Sequence, residues 1–236
     1  NAFVRGAKRL YMTATPRVFV PRLRNRLEEL GYEYFTMDDE TIYGEEFFRY
    51  GFGQAVDEGF LSDYRVVVLT VNEADVQRKL FEFLSREDTP EAEEASKIIG
   101  VWSALSGRIK DEPLPPLKRA VVFAGRIKDS KKFADQFVQT AKEYHNVIDE
   151  ESEYRRFDVR HVDGTMTATE RKLLLDWLRE EPGNSETRVL SNAKVLTEGI
   201  DVPSLDAVVF LKPRRSVVDV VQAVGRAMRK ASGKRY

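Results

Sequence analysis

The sequence contains no cysteine and only two histidines, His145 and His161. The absence of cysteine excludes a disulfide framework, a zinc finger, an iron–sulfur cluster and a thiol nucleophile. Two histidines leave little room for a histidine-rich metal site, and we predict no metal ligands in this chain. Because no apolar run approaches the roughly 20 residues that cross a bilayer, we expect a cytoplasmic protein without a membrane partner.

The chain has 236 residues, of which 42% are hydrophobic and 33% charged. A soluble chain of this length can bury one good core or two modest ones. It begins with Asn-Ala-Phe-Val-Arg, which is neither a signal peptide nor a natural initiation site. We therefore expect a piece of a longer protein.

The 38 basic and 39 acidic side chains are not mixed evenly along the chain. Residues 5–26 include basic but no acidic residues, and the charged residues of the segment 212–235 are all basic except for Asp219. The charged residues of the segment 31–63 are all acidic except for Arg49. A polyanion responds to local potential, so both basic runs are candidate surfaces for one. The simpler interpretation of either run alone is a solvated face.

Short β-branched runs alternate with helical patterns, which predicts an α/β fold with a parallel sheet and right-handed crossovers. Three of the runs are continuously apolar, as expected for strands buried on both faces. The predicted strands cover residues 9–13, 64–71, 119–124, 157–162, 187–191 and 206–211. Helices are predicted at 92–109, where an amphipathic pattern faces the core, at 129–146, after the capping box Thr167–Glu170, and from Ser216.

The first candidate for function is a predicted strand at residues 10–13 that ends near two hydroxyls, Thr13 and Thr15, and Pro16. Alone it indicates only a strand that terminates in a turn. The second candidate, residues 192–203, follows one predicted strand and precedes another. There Gly199 would allow close backbone approach and Asp201 could accept a hydrogen bond from a ribose hydroxyl. A helix N-terminus with a tight turn is the alternative.

The third candidate contains Gln222, Arg226 and Arg229, whose spacings of four and three residues place them on one face of a predicted helix. Two guanidinium groups on one face suit an anion with several oxygens, such as a nucleotide γ-phosphate. An exposed basic helix end is the alternative.

In this order, the segments resemble the later motifs of superfamily 2 helicases and translocases. Thr-Ala-Thr-Pro at 13–16 is similar to motif III, residues 120–125 to motif IV, 196–201 to motif V and 222–229 to motif VI. The resemblance implies a RecA-like open parallel sheet flanked by helices over residues 118–236. It also implies that residues 1–63 are the tail of a first RecA-like lobe with a connecting segment. Residues 64–117 then form a strand, helices and a proline-rich linker.

Residues 43–44 and 52–66 resemble the connecting segment of restriction-type helicases, the motor subunits of type I and type III restriction enzymes and their single-polypeptide forms. The resemblance implies two partners. One is double-stranded DNA, which it favours over RNA, and the other is the first lobe of the same parent chain. The family's phosphate loop and acidic magnesium-binding motif are missing from this sequence. ATP and Mg²⁺ would therefore be bound mainly by the first lobe, and the chain alone is expected to be inactive.

The resemblance also implies a role for individual residues. Arg226 and Arg229 would act on the γ-phosphate held by the other lobe, as an arginine finger does. The remaining roles are bordering the nucleotide (Gly199, Asp201 and Gln222), coupling the lobes (Thr13 and Thr15) and contacting the nucleic-acid backbone (Gly125, Arg126 and Thr197).

Two other functions compete with this ATP-dependent DNA helicase or translocase. One is a non-catalytic nucleic-acid-binding or interaction module with the same fold, which would have no need of the arginine face. The other is an unrelated nucleotide-binding α/β enzyme, which is disfavoured because the sequence supplies no nucleophile, metal site or phosphate loop.

Overall fold

The structure is a computed structural model. It describes residues 8–13, 15–87, 89–109, 114–149, 151–193, 205–213, 220–221, 223–225 and 228–230. The chain divides into two units, Asn1–Gln54 and Ala55–Tyr236. The predicted helix from Ser216 lies largely outside the described residues.

The first unit contains two helices, α1 (Pro21–Glu29) and α2 (Glu40–Tyr43), and helix α3 (Phe52–Asp57) begins at its end. Thr36 is buried, and its hydroxyl accepts a hydrogen bond from the Phe19 amide at 3.2 Å. The predicted strand at residues 9–13 is wrong, since these residues have no regular secondary structure. A strand requires a neighbour to pair with, and the described part of this unit contains none.

The second unit is built on a parallel sheet of four strands in the order β2-β3-β1-β4. The strands are β1 (Arg119–Phe123), β2 (Arg156–Val162), β3 (Glu186–Asn192) and β4 (Ala207–Phe210). All four coincide with predicted strands to within one or two residues. Because the strands are parallel, all their carboxyl ends lie at one edge of the sheet, which we call the carboxyl edge.

Helices cover both faces of this sheet. The long helices are α6 (Ala92–Leu105), α7 (Ile127–Ile148) and α8 (Ala168–Arg179), and two shorter ones are α4 (Glu73–Lys79) and α5 (Phe81–Leu84). Helices α6 and α7 pack on one face through Trp102, Phe133 and Phe137. Helix α8 packs on the other face through Trp177 and Leu178. The predicted core-facing role of the 92–109 segment is confirmed, although the helix ends at Leu105.

One helix boundary and one predicted strand differ from the structure. Helix α7 begins at Ile127, two residues before the predicted start, because Arg126 already has the extended backbone of an N-cap residue. The predicted strand at residues 64–71 is wrong, because no described residue of this segment is in a strand. Val66 and Val68 are 80% and 87% exposed instead of buried.

Candidate nucleic-acid and nucleotide site

The carboxyl edge brings the end of β1 next to the first turn of α7. Gly125 and Arg126 form the connection, and the Arg126 guanidinium donates two hydrogen bonds to Asp129, each at 3.0 Å. Lys212, which follows β4, places its Nζ atom 3.9 Å from the same carboxylate. A Cβ atom at Gly125 would make only ordinary contacts, with Lys212 and Asp129. Packing within the chain therefore does not require glycine at position 125. The absence of a side chain at Gly125 leaves space above the end of β1.

The electrostatics of this connection are those of an exposed cation. The Arg126 side chain is 62% exposed. Its hydrogen bonds, followed by weaker attraction from Lys212, hold the pKa of Asp129 below its usual range. Exposed pairs of this kind contribute only about 0–1 kcal/mol to stability. Arg126 can therefore exchange Asp129 for another anion at little cost.

A buried polar network lies beside this connection, across the ends of β2 and β3. His161 contacts Ser130 through Nδ1 at 2.7 Å and Asp163 through Nε2 at 2.9 Å. Ser130 also bonds to the hydroxyl of Ser191 at 2.7 Å. Asp163 further accepts hydrogen bonds from the amide and hydroxyl of Thr165. The network thus ties α7, β2 and β3 together where the strands end.

The network has the residue types of a hydrolytic triad, but its geometry excludes that chemistry. Ser130 and Asp163 are fully buried, so no substrate can reach the Ser130 hydroxyl. Asp163 has its pKa lowered, first by hydrogen bonds from Thr165 and then by those from His161. Lys131, which is half exposed, lies 3.3 Å from Asp163. The network therefore stabilises the edge and holds a cation at it.

The end of the motif VI segment is fixed by the segment that follows α3. Residues 220–221 and 223–225 are helical, and the Met228 amide donates to the Val224 carbonyl at 3.0 Å. Beyond Met228, Arg229 forms an antiparallel bridge with Leu61. Ser62 donates hydrogen bonds from both its amide and its hydroxyl to the Met228 carbonyl, each at 2.8 Å.

This bridge corrects the predicted helical face. Arg229 does not lie on the helix, because its backbone pairs with Leu61 in an extended conformation. Met228 is buried beneath it and Arg229 is exposed. The other residues predicted on this face, Gln222 and Arg226, lie outside the described residues.

The structure thus places five of the ten predicted site residues. Gly125 and Arg126 lie at the carboxyl edge, and Arg229 lies at the bridge. Thr13 and Thr15 lie in the first unit, where the Thr15 amide donates to the Thr13 hydroxyl at 3.1 Å. Outside the described residues are Thr197, Gly199, Asp201, Gln222 and Arg226.

Sequence reasoning missed Lys212 as part of the edge, and it missed the partners of Asp163. It assigned no role to Asn192, the first residue of the second candidate segment, which is buried at the end of β3 and donates from its side chain to the Val122 carbonyl at 3.1 Å. A buried amide directly after an apolar strand was the available signal, since such a group needs a specific partner. Nothing in the local pattern indicated that Ser62 would bind the Met228 carbonyl, 166 residues away.

Two features are absent from the part of the chain that the structure describes. It contains no group of three or more histidine, cysteine, aspartate or glutamate side chains that could hold a metal ion. Its helices include none that is both long and apolar enough to span a membrane.

The four parallel strands, with helices on both faces and Gly125 and Arg126 at the carboxyl edge, define a RecA-like α/β domain. Residues 118–231 match the family described as "Helicase conserved C-terminal domain". The chain therefore carries the C-terminal lobe of a superfamily 2 helicase, of the restriction type.

Individual relatives agree with this assignment. The chain is similar to the structure titled "ATP-dependent Type ISP restriction-modification enzyme LlaBIII bound to DNA", with 43% identity and a TM-score of 0.75 over 85% of this chain and 13% of that one. A fragment of a putative HsdR subunit of a type I restriction enzyme from Vibrio vulnificus YJ016 shares the fold at 18% identity, with a TM-score of 0.51 over 84% of this chain and 35% of that one.

A probable helicase, A859L, from African swine fever virus (strain Badajoz 1971 Vero-adapted) is 24% identical over 94% of this chain. The chain spans 21% of the length of that protein.

Proposed function

We propose that this chain is part of an ATP-dependent motor that moves on double-stranded DNA. The observation that carries the proposal is the 43% identity to a DNA-bound restriction-modification enzyme over 85% of the chain. In this proposal the parent is a helicase or translocase, and the chain contributes half of the nucleotide site and part of the DNA track.

The exposed Arg126 and the bare backbone of Gly125 are proposed to contact the DNA phosphate backbone, together with Thr197. Three properties support this role. Arg126 lies at a strand end and is itself exposed, its present partner is the partly buried carboxylate of Asp129, and Lys128 and Lys212 add positive charge nearby. Contacts to phosphate position a strand without reading its sequence, as a motor requires.

The test is to measure duplex DNA binding of the Arg126→Ala variant as a function of salt. Removing one phosphate contact should weaken binding of all sequences alike and reduce the slope of log K against log salt by about 1. The matched control is Arg179→Ala, because Arg179 forms the same kind of i,i+3 pair with Asp176 at the end of α8, away from the carboxyl edge. Equal effects of the two substitutions would contradict the assignment of Arg126.

Arg226 and Arg229 are proposed to bind the γ-phosphate of ATP, with Gly199, Asp201 and Gln222 bordering the nucleotide. ATP with Mg²⁺, when bound, supplies the phosphoryl group whose transfer to water drives the motor. The described member of this set, Arg229, fits the role because it is exposed and its backbone is held by the bridge to Leu61. Because the bridge already holds the Arg229 backbone, the guanidinium can bind phosphate oxygens without the cost of ordering the whole segment.

The test of the nucleotide site uses the full-length parent. Arg229→Ala should lower DNA-stimulated ATP hydrolysis by about 10³-fold or more, the range found for arginine fingers, while DNA binding is retained. Lys230→Ala, the exposed neighbour, is the control and should leave turnover near the parent value. If Arg229→Ala folds, binds DNA and hydrolyses ATP normally, the assignment of Arg229 to the γ-phosphate is wrong.

Thr13 and Thr15 are proposed to couple the two RecA-like lobes of the parent, the first of which is proposed to hold the phosphate loop and the Mg²⁺ ligands. The isolated 236-residue chain is therefore expected to show no ATP hydrolysis. Robust turnover by the purified chain would overturn the division of the site between two lobes.

A further inference from the structure

A cavity of about 230 Å³ lies at the opposite edge of the sheet from Arg126, where the strands begin. It is formed where α6 ends before β1 and where α7 ends before β2. The side chains that matter for its chemistry are Trp102, Ser106, Arg108, His145, Glu153 and Arg155. None of them belongs to the site proposed for DNA or ATP.

Three of these side chains carry a buried polar atom without a hydrogen-bond partner among the described residues. The atoms are Trp102 Nε1, Ser106 Oγ and His145 Nδ1. Trp102 is only 1% exposed and His145 only 3%. A buried polar group without a partner costs about 1–3 kcal/mol, so three at one cavity call for an occupant.

The hydrogen-bonding character of each atom can be assigned. Trp102 Nε1 is a donor, and the Ser106 hydroxyl can donate or accept. His145 Nε2 lies 3.0 Å from the Ser152 carbonyl and must donate to it, which leaves Nδ1 of the neutral ring as an acceptor. An occupant that pairs all three atoms therefore offers an acceptor oxygen to Trp102, an acceptor or a donor to Ser106, and one O–H group to His145.

The end of α6 places a cation over this cavity. Gly107 has a left-handed backbone with φ of 72°, and the Arg108 amide donates back to the Ser103 carbonyl at 2.8 Å, as in a Schellman motif. This turn brings the Arg108 guanidinium to 5.6 Å from the centre of the Trp102 ring. Arg108 is also paired with Asp149 at 2.7 Å.

Arg155 adds a second cation, which Asp206 attracts without forming an ion pair with it. Its three donors go to the Thr187 hydroxyl and to the carbonyls of Asn184 and Glu186, at 2.6–3.1 Å. It forms no ion pair with any carboxylate in the described ranges, and burial lowers the pKa of its guanidinium. The carboxylate in the cavity wall, Glu153, is exposed at the rim. Two guanidinium groups, those of Arg108 and Arg155, therefore line the cavity.

We propose that this cavity binds a small phosphate monoester, or inorganic phosphate as its simplest form. The phosphate oxygens would accept hydrogen bonds from Trp102 Nε1 and Ser106 Oγ and would face the guanidinium groups of Arg108 and Arg155. A protonated phosphate oxygen, or a hydroxyl group on the organic part of the ester, would donate to His145 Nδ1. The volume exceeds that of phosphate alone, so a sugar phosphate should bind more tightly than inorganic phosphate. The proposal does not depend on the proposed motor function.

The chain contains two tryptophans, and these provide a built-in test. Trp177 Nε1 already donates to Asp158 at 3.2 Å, whereas Trp102 Nε1 is unpaired within the described structure. The two indole N–H signals can be followed by ¹H–¹⁵N NMR of the 236-residue chain, and Trp102→Phe assigns them. On titration with millimolar inorganic phosphate or ribose 5-phosphate, at ionic strength matched with chloride, only the Trp102 signal should shift.

Two variants locate the binding. Ser106→Ala should weaken phosphate binding about threefold to tenfold through loss of one hydrogen bond, whereas Arg126→Ala, at the opposite edge, should leave it unchanged. A shift of the Trp177 signal instead, or loss of the response in Arg126→Ala, would place the phosphate elsewhere and overturn the proposal. The Trp102 signal could instead stay unshifted with both inorganic phosphate and ribose 5-phosphate while the Trp102 N–H contacts solvent water. That result would show that water fills the cavity, and it would also overturn the proposal.

Discussion

Asp163 shows how much of the site depends on individual buried residues. Asp163 directly follows the predicted strand at residues 157–162, but the local sequence pattern does not indicate its partners. Those partners come from α7, β2 and the turn after β2, and parallel topology alone brings them together. A motif therefore identifies such a residue, whereas only the fold shows what it does.

The first prediction concerns Asp163→Asn, which removes the charge but keeps the shape. Hydrogen bonds to charged groups contribute about 1.5–3 kcal/mol, so the free energy of unfolding at pH 7 should fall by about 2 kcal/mol. The folded state lowers the pKa of Asp163 from its unfolded value of about 3.9. Its contribution is thus complete above the unfolded pKa and is lost as pH falls through the folded pKa.

Urea denaturation of the wild type and the variant between pH 7 and pH 3 tests this prediction. The difference in stability should be constant near neutrality and should shrink at acid pH. Asp176→Asn, at a half-exposed carboxylate paired with Arg179, is the control and should have little effect at any pH. A difference that stays constant down to pH 3 would show that the charge of Asp163 does not matter.

At the scale of elements, the sequence predicts best those features whose hydrogen bonds form between residues close together in the chain. The capping box before α8 is present as expected: Thr167 accepts from the Glu170 amide, and the Glu170 side chain accepts from the Thr167 amide. The four sheet strands were predicted because each contains a short β-branched run that alternates with helical patterns. Residues 64–71 show the same β-branched pattern but form no strand, because the pattern cannot reveal whether a neighbouring strand is available.

The contribution of the capping box to the stability of the chain can be tested by substitution. Thr167→Ala removes the side-chain acceptor for the Glu170 amide and should destabilise the chain by about 1 kcal/mol. Thr169→Ala is the matched control, since Thr169 is exposed in the first turn and makes no capping bond. Thermal unfolding followed by circular dichroism compares the two variants. Equal melting temperatures would mean that α8 is held by packing alone.

At the scale of the whole molecule, the two units differ in how much core they possess. The buried hydrophobic residues of the described chain all lie between Ala55 and Met228. In the first unit the buried residue is Thr36, while Met12, Phe47 and Phe48 are 71–83% exposed. The domain boundaries predicted from the resemblance, after residues 63 and 117, stay predictions. The predicted RecA-like fold and the predicted superfamily are confirmed.

This difference leads to the last prediction, on truncation. A chain that begins at Tyr50 keeps α3 and all the buried clusters, so it should unfold cooperatively within a few degrees of the 236-residue chain. Residues 1–54 alone should show no cooperative transition, since so short a segment without a core cannot offset its conformational entropy. Calorimetry of both pieces is the measurement. A sharp transition in the short piece, or loss of the transition in the long one, would show that stability is shared between the units.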